Sequence, residues 1–251
     1  IRSDLEAEPG ALEQLRRGQL RFERWRWLPR TLWRRYRRDP ELLRHIERMG
    51  RFLRILADAS GAETIVETSY NPLRGLLYED RASGIDVVYL HLVRDGRAFI
   101  ASERATRTAA GRRWQWLRST PVVVGRWVAG HVLALILVRR SPRYLRVNYE
   151  TLVRDPGACL RAISSLIAVD LSDLLDRVQH GEPIRMRHLA AGNRVRLQGE
   201  LRLTPGSSGL PALGLGERAW FWGMGGWLAL LLGYRPGRDP VTGPTPPAPA
   251  R

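Results

Sequence analysis

A run of apolar and β-branched residues at 86–93 constrains the fold more than any other feature of this sequence. It reads Asp-Val-Val-Tyr-Leu-His-Leu-Val, and Arg94, Asp95 and Gly96 follow it directly. Nearly continuous apolar runs of this length are typical of strands that are buried in a parallel sheet. Asp95 is a suitable N-cap for a helix that we expect to end near Arg107. We therefore predict a strand that passes at once into a helix.

Two other short runs, at 64–67 and 144–147, are predicted to be strands of the same sheet. The first precedes a predicted helix over about 71–81, and the second follows a predicted long helix near 122–140. Strands that alternate with helices in this way form parallel sheets that helices cover. The predicted fold class is α/β, with a parallel sheet flanked by helices.

The length of 251 residues suits one domain of this class. The early part is arginine-rich and helical in its spacing, and Asp39 and Pro40 form the start signal of its second helix. We predict a single domain over 1–234 with a helical region at 1–60, a core at 64–200 and a C-terminal helix at 210–234, followed by a disordered Pro- and Gly-rich tail at 235–251.

The formal net charge is +16, and every basic residue is an arginine because the chain contains no lysine. A large positive charge usually indicates nucleic acid or another anionic surface as a partner. The absence of lysine suggests that part of the charge reflects coding bias, which weakens the argument for nucleic acid. Arginine binds phosphate and sulfate oxygens in a bidentate manner, so an anionic ligand still fits the composition.

The cysteine and histidine content and the apolar stretches argue against a metal-binding protein and against a membrane-spanning protein. The single Cys159 is expected to be a small apolar residue inside a helix, and no Cys/His spacing suggests a metal site. Apolar stretches at 127–138 and 219–234 fall short of the roughly 20 residues of a spanning helix. We interpret both as core helices, with contact to one face of a membrane as the alternative.

Arg94 lies at the carboxyl end of the predicted strand 86–93, where open α/β sheets bind ligands. Ser102 lies about two helical turns beyond Asp95, so it can share the helix face that carries the helix start. A guanidinium and a hydroxyl group beside a helix N-terminus can bind a phosphate. The alternative is an exposed arginine and a serine that packs against the sheet.

The segment 88–102, Val-Tyr-Leu-His-Leu-Val-Arg-Asp-Gly-Arg-Ala-Phe-Ile-Ala-Ser, closely resembles a segment of the sulfotransferase family. In that family it holds the 3′-phosphate of 3′-phosphoadenosine-5′-phosphosulfate (PAPS). The family binds this phosphate with an arginine at the strand end and a serine eight residues later. Arg94 and Ser102 occupy the matching positions.

Three further segments resemble bacterial sulfotransferases in the expected order. The segment 67–74 is similar to Asp-Ser-Ser-Lys-x-Pro-x-Arg, although Tyr70 stands where lysine is usual. The segment 149–156 is similar to Tyr-Glu-Asp-Leu-x-x-Asp-Pro, whose tyrosine, here Tyr149, helps to line the nucleotide site. Core packing is the alternative for Tyr149.

The third segment, 188–196, resembles the His-x-x-x-Gly-Asn-x-x-Arg loop that closes over the 3′-phosphate. Arg196 matches the arginine of that motif, Asn193 would shape the turn, and Arg194 occupies a variable position. A surface turn with solvated arginines is the alternative.

The resemblance implies a P-loop-NTPase-like sulfotransferase fold. It also implies PAPS as donor, no metal, and a small-molecule, carbohydrate or lipid acceptor. The family's Gly/Ser-rich loop for the 5′-phosphosulfate has no match before Thr64, so we expect an N-terminally incomplete member that is inactive without this loop. The alternative is a degenerate member that at best binds the nucleotide. No catalytic base can be assigned, because Glu23 and His45 carry no motif and are predicted to be surface helix residues. Without a visible targeting signal, a cytoplasmic location is the default expectation.

A different class of function is a noncatalytic basic module. In that interpretation the arginine-rich helices of 1–60 bind anionic polymers or a membrane surface. Another nucleotide enzyme of the P-loop class would need a Walker A loop, which the sequence does not contain.

Overall fold

The computed structural model describes residues 10–24, 27–68, 71–109, 113–139, 141–185, 200–201 and 213–236. The chain divides into two compact units, 1–87 and 88–251. The division falls within the predicted core of 64–200. The single domain over 1–234 stays a prediction, and each unit is described by itself.

All secondary structure in the described part of the first unit is helical. The helices are α1 (Ala11–Phe22), α2 (Leu28–Tyr36), α3 (Pro40–Ser60) and α4 (Pro72–Tyr78), followed by a 3₁₀ turn at Arg81–Ser83. The Asp39 side chain caps α3 by accepting hydrogen bonds from the backbone N–H groups of Glu41 and Leu42, at 3.0 and 3.1 Å. These bonds, that to Leu42 foremost, lower the pKa of Asp39. The predicted start signal of α3 is confirmed.

The core of the first unit is built on one face of α3. Leu42, Ile46 and Met49 follow one another at helical spacing and are buried. They pack with Leu15 and Phe22 of α1 and with Leu77 of α4. The apolar spacing along α3 therefore predicted which side of this helix is buried.

The predicted strand at 64–67 is wrong, because residues 64–68 form no strand. Val66 is 83% exposed, and the carboxylate of Glu67 pairs with Arg74. A strand needs a neighbour that satisfies its backbone N–H and C=O groups. The described residues of this unit are helical or irregular, so they offer no ladder to this segment.

The second unit contains the parallel pair. Strands β1 (Tyr89–Val93) and β2 (Tyr144–Asn148) run parallel, with Tyr89 opposite Tyr144 and Val93 opposite Asn148. Helices α5 (Gly96–Ala109) and α6 (Arg113–Leu137) connect them. The α/β class with a small parallel sheet flanked by helices is confirmed, although helices dominate. Strand β1 begins later than predicted, at Tyr89 rather than at residue 86.

The remaining elements lie beyond β2. They are α7 (Tyr149–Arg154), α8 (Pro156–Ile167), α9 (Ser172–Gln179), a two-residue antiparallel pair of β3 (Ile184–Arg185) and β4 (Glu200–Leu201), and α10 (Leu215–Leu231). Cys159 of α8 is fully buried against Leu145 and Val147 of β2. It is thus the apolar helix residue that the sequence predicts.

Helices α6 and α10 form the larger core of the second unit. Val123, Val124 and Trp127 of α6 pack with Phe221 and Leu228 of α10. The rings of Trp127 and Phe221 meet edge to face at a centroid distance of 5.7 Å. Both apolar stretches therefore contribute to a core, as predicted.

The apolar part of α6 is longer than the sequence suggested. Ser119–Leu137 is long and apolar enough to cross a membrane by length and composition. The expectation that this stretch is too short is wrong, because we took Arg126 as its boundary. One exposed arginine does not interrupt a helix whose backbone hydrogen bonds continue on both sides of it.

We predict that Gly50→Ala destabilises the protein. A Cβ atom at this position in α3 would lie 1.8 Å from the carbonyl oxygen of Ser83. Because the contact is with backbone, the 3₁₀ turn must move, and we expect a loss of about 3 kcal/mol in the free energy of unfolding. Urea unfolding followed by circular dichroism measures this loss.

Gly223→Ala in α10 is the matched control, since a Cβ atom there meets nothing within 4 Å. It should leave stability unchanged or raise it by up to ~1 kcal/mol. Equal effects of the two substitutions would contradict the close approach at Gly50.

Candidate functional site

Two of the predicted site residues meet at the carboxyl ends of the parallel strands. Arg94 follows β1 and Tyr149 follows β2, and the register of Val93 opposite Asn148 places them side by side. The guanidinium carbon of Arg94 lies 5.1 Å from the centroid of the Tyr149 ring. This is a cation–π contact, and a guanidinium group carries five N–H donors with which it can bind an anion.

The backbone of Arg94 is fixed, while its side chain is exposed. Its carbonyl oxygen accepts a hydrogen bond from the indole Nε1 of Trp127, at 3.1 Å. Trp127 belongs to the α6–α10 core. No carboxylate among the described residues forms an ion pair with Arg94. Among the described residues, Arg94 is therefore a cation that no carboxylate neutralises.

The neighbouring Arg97 has a different role. Asp95 is buried, and its side chain accepts a hydrogen bond from the backbone N–H of Arg97, at 2.8 Å, so it caps α5 as predicted. The Nη2 atom of Arg97 lies 2.6 Å from Oδ2 of Asp95, and it also donates to the carbonyl oxygen of Arg235. Arg97 is thus held inside the structure, whereas Arg94 faces outward.

Ser102 lies on α5, the helix that begins just after Arg94, and it is exposed. The alternative in which Ser102 packs against the sheet is therefore wrong. No hydrogen bond among the described residues joins Ser102 to Arg94 or Tyr149. The other predicted residues of the site, Asn193, Arg194 and Arg196, lie outside the described residues, as does Tyr70.

A buried carboxylate joins the two strand ends beneath this site. One oxygen of Glu150 accepts the backbone N–H of Asp95, at 2.9 Å, and the other accepts the hydroxyl of Tyr234, also at 2.9 Å. The Tyr234 hydroxyl also lies 3.2 Å from the carbonyl oxygen of Val93. Burial raises the pKa of Glu150, and the bond from Asp95 offsets part of that rise. In the Tyr-Glu pair of the 149–156 segment, the glutamate is therefore a structural residue.

Sequence reasoning missed a chain of three polar residues between the sheet and α6. Nε2 of His91 lies 2.8 Å from Nδ1 of His131, and Nδ1 of His91 lies 2.6 Å from the hydroxyl of Tyr144. Burial lowers the pKa of His91 to about 3, helped by His131 and by Arg146 on β2. It lowers the pKa of His131 to about 4. The two-residue spacing of Tyr89, His91 and Val93 indicates that they share one face of β1. It does not indicate that His131 on α6 is the partner of His91.

The first unit contains a second buried network. Glu23 and His45, predicted to lie on the surface, are 4% and 3% exposed, so that prediction is wrong. Glu23 accepts from His45 at 3.1 Å and from Nε of Arg74 at 2.6 Å. Glu23 directly follows α1, His45 lies on α3 and Arg74 lies on α4. The two bonds to Glu23 therefore connect these three helices. The sequence carries no signal for this pairing, which depends on how the helices pack.

The chain matches no family model, no curated protein and no solved structure. Among the described residues, no group of three or more His, Cys, Asp or Glu side chains is arranged to hold a metal ion. The interpretation of the site thus rests on its own residues and on the resemblance of the four segments.

We predict that Tyr234→Phe lowers stability by removing one hydroxyl group. Glu150 would keep the bond from Asp95 but lose a donor in a buried environment. The expected loss in the free energy of unfolding is about 1–3 kcal/mol. Urea unfolding measures it, and Tyr36→Phe is the control because Tyr36 is 84% exposed. An unchanged midpoint for Tyr234→Phe would contradict a role for this bond.

We also predict an acid-sensitive stability that depends on His131. Because the folded state favours neutral His91 and His131, the unfolded state binds more protons below the ordinary histidine pKa of ~6.5. The free energy of unfolding should fall as the pH drops from 7 toward 4. His131→Gln should reduce this fall by on the order of 1 kcal/mol at pH 5.

Unfolding at pH 7 and pH 5 tests this dependence on His131. His180→Gln is the control, because His180 is exposed on the loop after α9. Identical pH dependence in the wild type and in His131→Gln would show that the pair does not titrate as described.

Proposed function

We propose that this chain is a sulfotransferase that binds PAPS with Arg94 as a ligand of the 3′-phosphate. The observation that carries the proposal is the cation–π contact between Arg94 and Tyr149 at the ends of β1 and β2. These are two of the residues that the resemblance assigns to the nucleotide. They come from distant parts of the sequence, so the resemblance and the geometry support the proposal separately.

The chemistry of the site suits a phosphate monoester. The planar guanidinium group can donate two parallel hydrogen bonds to phosphate oxygens. The ring of Tyr149 restricts the orientation of the group and lowers the entropy that binding would cost. In the proposal, Ser102, Asn193, Arg194 and Arg196 supply further contacts to the phosphate.

The proposed reaction moves the sulfuryl group of PAPS to a hydroxyl or amine of an acceptor. The bond between sulfur and the bridging phosphate oxygen breaks as the acceptor atom attacks in line. The acceptor proton passes to a base, and the products are adenosine 3′,5′-bisphosphate and the sulfated acceptor. By analogy with phosphoryl transfer, the protein contributes mainly by positioning the reactants and by stabilising charge.

The decisive test is isothermal titration with adenosine 3′,5′-bisphosphate at moderate salt. We expect saturable binding that 5′-AMP does not reproduce, because 5′-AMP lacks the 3′-phosphate. Arg94→Ala should weaken binding by about 10- to 100-fold, which corresponds to loss of a charged hydrogen-bond donor. Tyr149→Leu should weaken it less, since the ring only orients the guanidinium group.

Arg161→Ala is the matched control. Arg161 is an exposed arginine on α8 of the same unit and is not one of the predicted site residues, so its loss removes the same charge without removing a predicted phosphate ligand. The alternative of a noncatalytic basic module predicts equal effects of Arg161→Ala and Arg94→Ala, and an advantage over 5′-AMP that reflects only the added charge of the second phosphate. That result, in a folded sample, would reject the sulfotransferase proposal.

A further inference from the structure

The outward side of α10 is apolar along its whole length. Trp220, Met224, Trp227 and Leu231 recur at helical spacing, and Trp227 and Leu231 are 57% and 60% exposed. Surface helices of globular proteins usually carry polar or charged residues on this side. The only exposed charged residue of α10 is Arg218.

Helix α6 continues this surface. Its outward residues Val122 and Ile136 are 60% and 62% exposed, and Arg126 lies between them. The methyl group of Met224 would lie 3.9 Å from a Cβ atom at Gly125, so the outward sides of the two helices adjoin. We call this surface, formed by the exposed residues of α6 and α10, the α6–α10 face. The part of α6 between 119 and 137 contains no acidic residue.

The opposite side of α6 holds the helix in the protein. Val123 and Val124 are fully buried in the core, and His131 contacts His91 of β1. A helix that spans a membrane alone would have to give up these contacts. The α6–α10 face is therefore suited to contact with the surface of a bilayer from one side and not to a helix that crosses it.

We propose that the α6–α10 face docks on an anionic lipid bilayer. Exposed Arg126 lies on this face, and exposed Arg139 follows the last turn of α6, where both can meet acidic headgroups. Tryptophan is enriched at membrane interfaces, where its ring lies at the headgroup level. The apolar residues between the arginines would enter the boundary between headgroups and acyl chains.

A second copy of the chain fits this surface less well. Each chain carries a net charge of +16, and a symmetric contact would bring the arginines of the two copies toward each other. An anionic bilayer instead supplies negative headgroups that can pair with the arginines, and an apolar layer that can receive the exposed apolar side chains. This inference does not rest on nucleotide binding, because the proposed PAPS site lies at the ends of the parallel strands.

Vesicle flotation tests the proposal with the full chain. The vesicles are phosphatidylcholine alone, or phosphatidylcholine with about one-third phosphatidylglycerol. We expect binding to the anionic vesicles, and we expect the double variant Trp220→Ala, Trp227→Ala to weaken it by about tenfold or more. The control is Trp33→Ala, since Trp33 is 60% exposed on α2 of the other unit and should not change binding.

A fluorescent probe provides a second measurement that does not depend on the tryptophan variants. Leu231→Cys labelled with an environment-sensitive dye should become brighter and blue-shifted on anionic vesicles. The same label at Leu12→Cys, an exposed position on α1, should not change. Cys159 is buried and is expected to stay unlabelled in the folded protein.

Three results would overturn the proposal. One is the absence of binding to anionic vesicles at low salt. Another is binding that salt reverses fully and that the double variant leaves unchanged, which would indicate only a basic surface. The third is a lipid-free dimer that the double variant dissociates, combined with no vesicle binding, which would assign the face to a second copy.

Discussion

The arrangement of the second unit depends on the buried carboxylate of Glu150. It accepts the backbone N–H of Asp95 after β1 and the hydroxyl of Tyr234 after α10, so one side chain at the end of β2 connects three parts of the chain. A buried carboxylate is costly unless donors satisfy it, and these donors exist only when β1, β2 and α10 are assembled. The same contacts set the positions of Arg94 and Tyr149, which are the neighbours of Asp95 and Glu150. The backbone positions of these two residues thus depend on the core of the unit.

Helix α6 contributes to both the candidate site and the α6–α10 face. Its inner side provides Trp127, whose indole fixes the backbone of Arg94, and His131, which contacts the sheet. Its outer side contributes Val122 and Ile136 to the apolar face. A helix that is apolar all round is usually buried or in contact with lipid. In this chain one side is covered by protein, and the other is the side for which we propose a bilayer.

The sequence predicted local features well where short-range physics decides them. The caps of α3 and α5 follow from residues close to each other in the chain, and each of the strands β1 and β2 follows from its own apolar run. That the two strands pair in parallel was inferred from the alternation of strands and helices, and not from local residues. The prediction of a strand at 64–67 was wrong because a β-branched run shows only a preference for extended backbone. A strand forms only where a neighbouring strand can accept and donate its backbone hydrogen bonds. The prediction that Glu23 and His45 are exposed was wrong for a related reason. A polar residue on or beside a helix is buried or exposed according to which other elements pack against it.

By itself, the sequence determined that the chain forms α/β structure and that an arginine follows the better of its strands. It also supplied the order of motifs that resembles sulfotransferases. Only the tertiary structure decided which arginine faces outward, since Arg97 has a buried carboxylate beside it and Arg94 has an aromatic ring. It likewise decided that His91 meets His131 and that the apolar residues of α6 and α10 form one surface. These outcomes depend on contacts between residues far apart in the chain, and local preferences contain no information about such contacts.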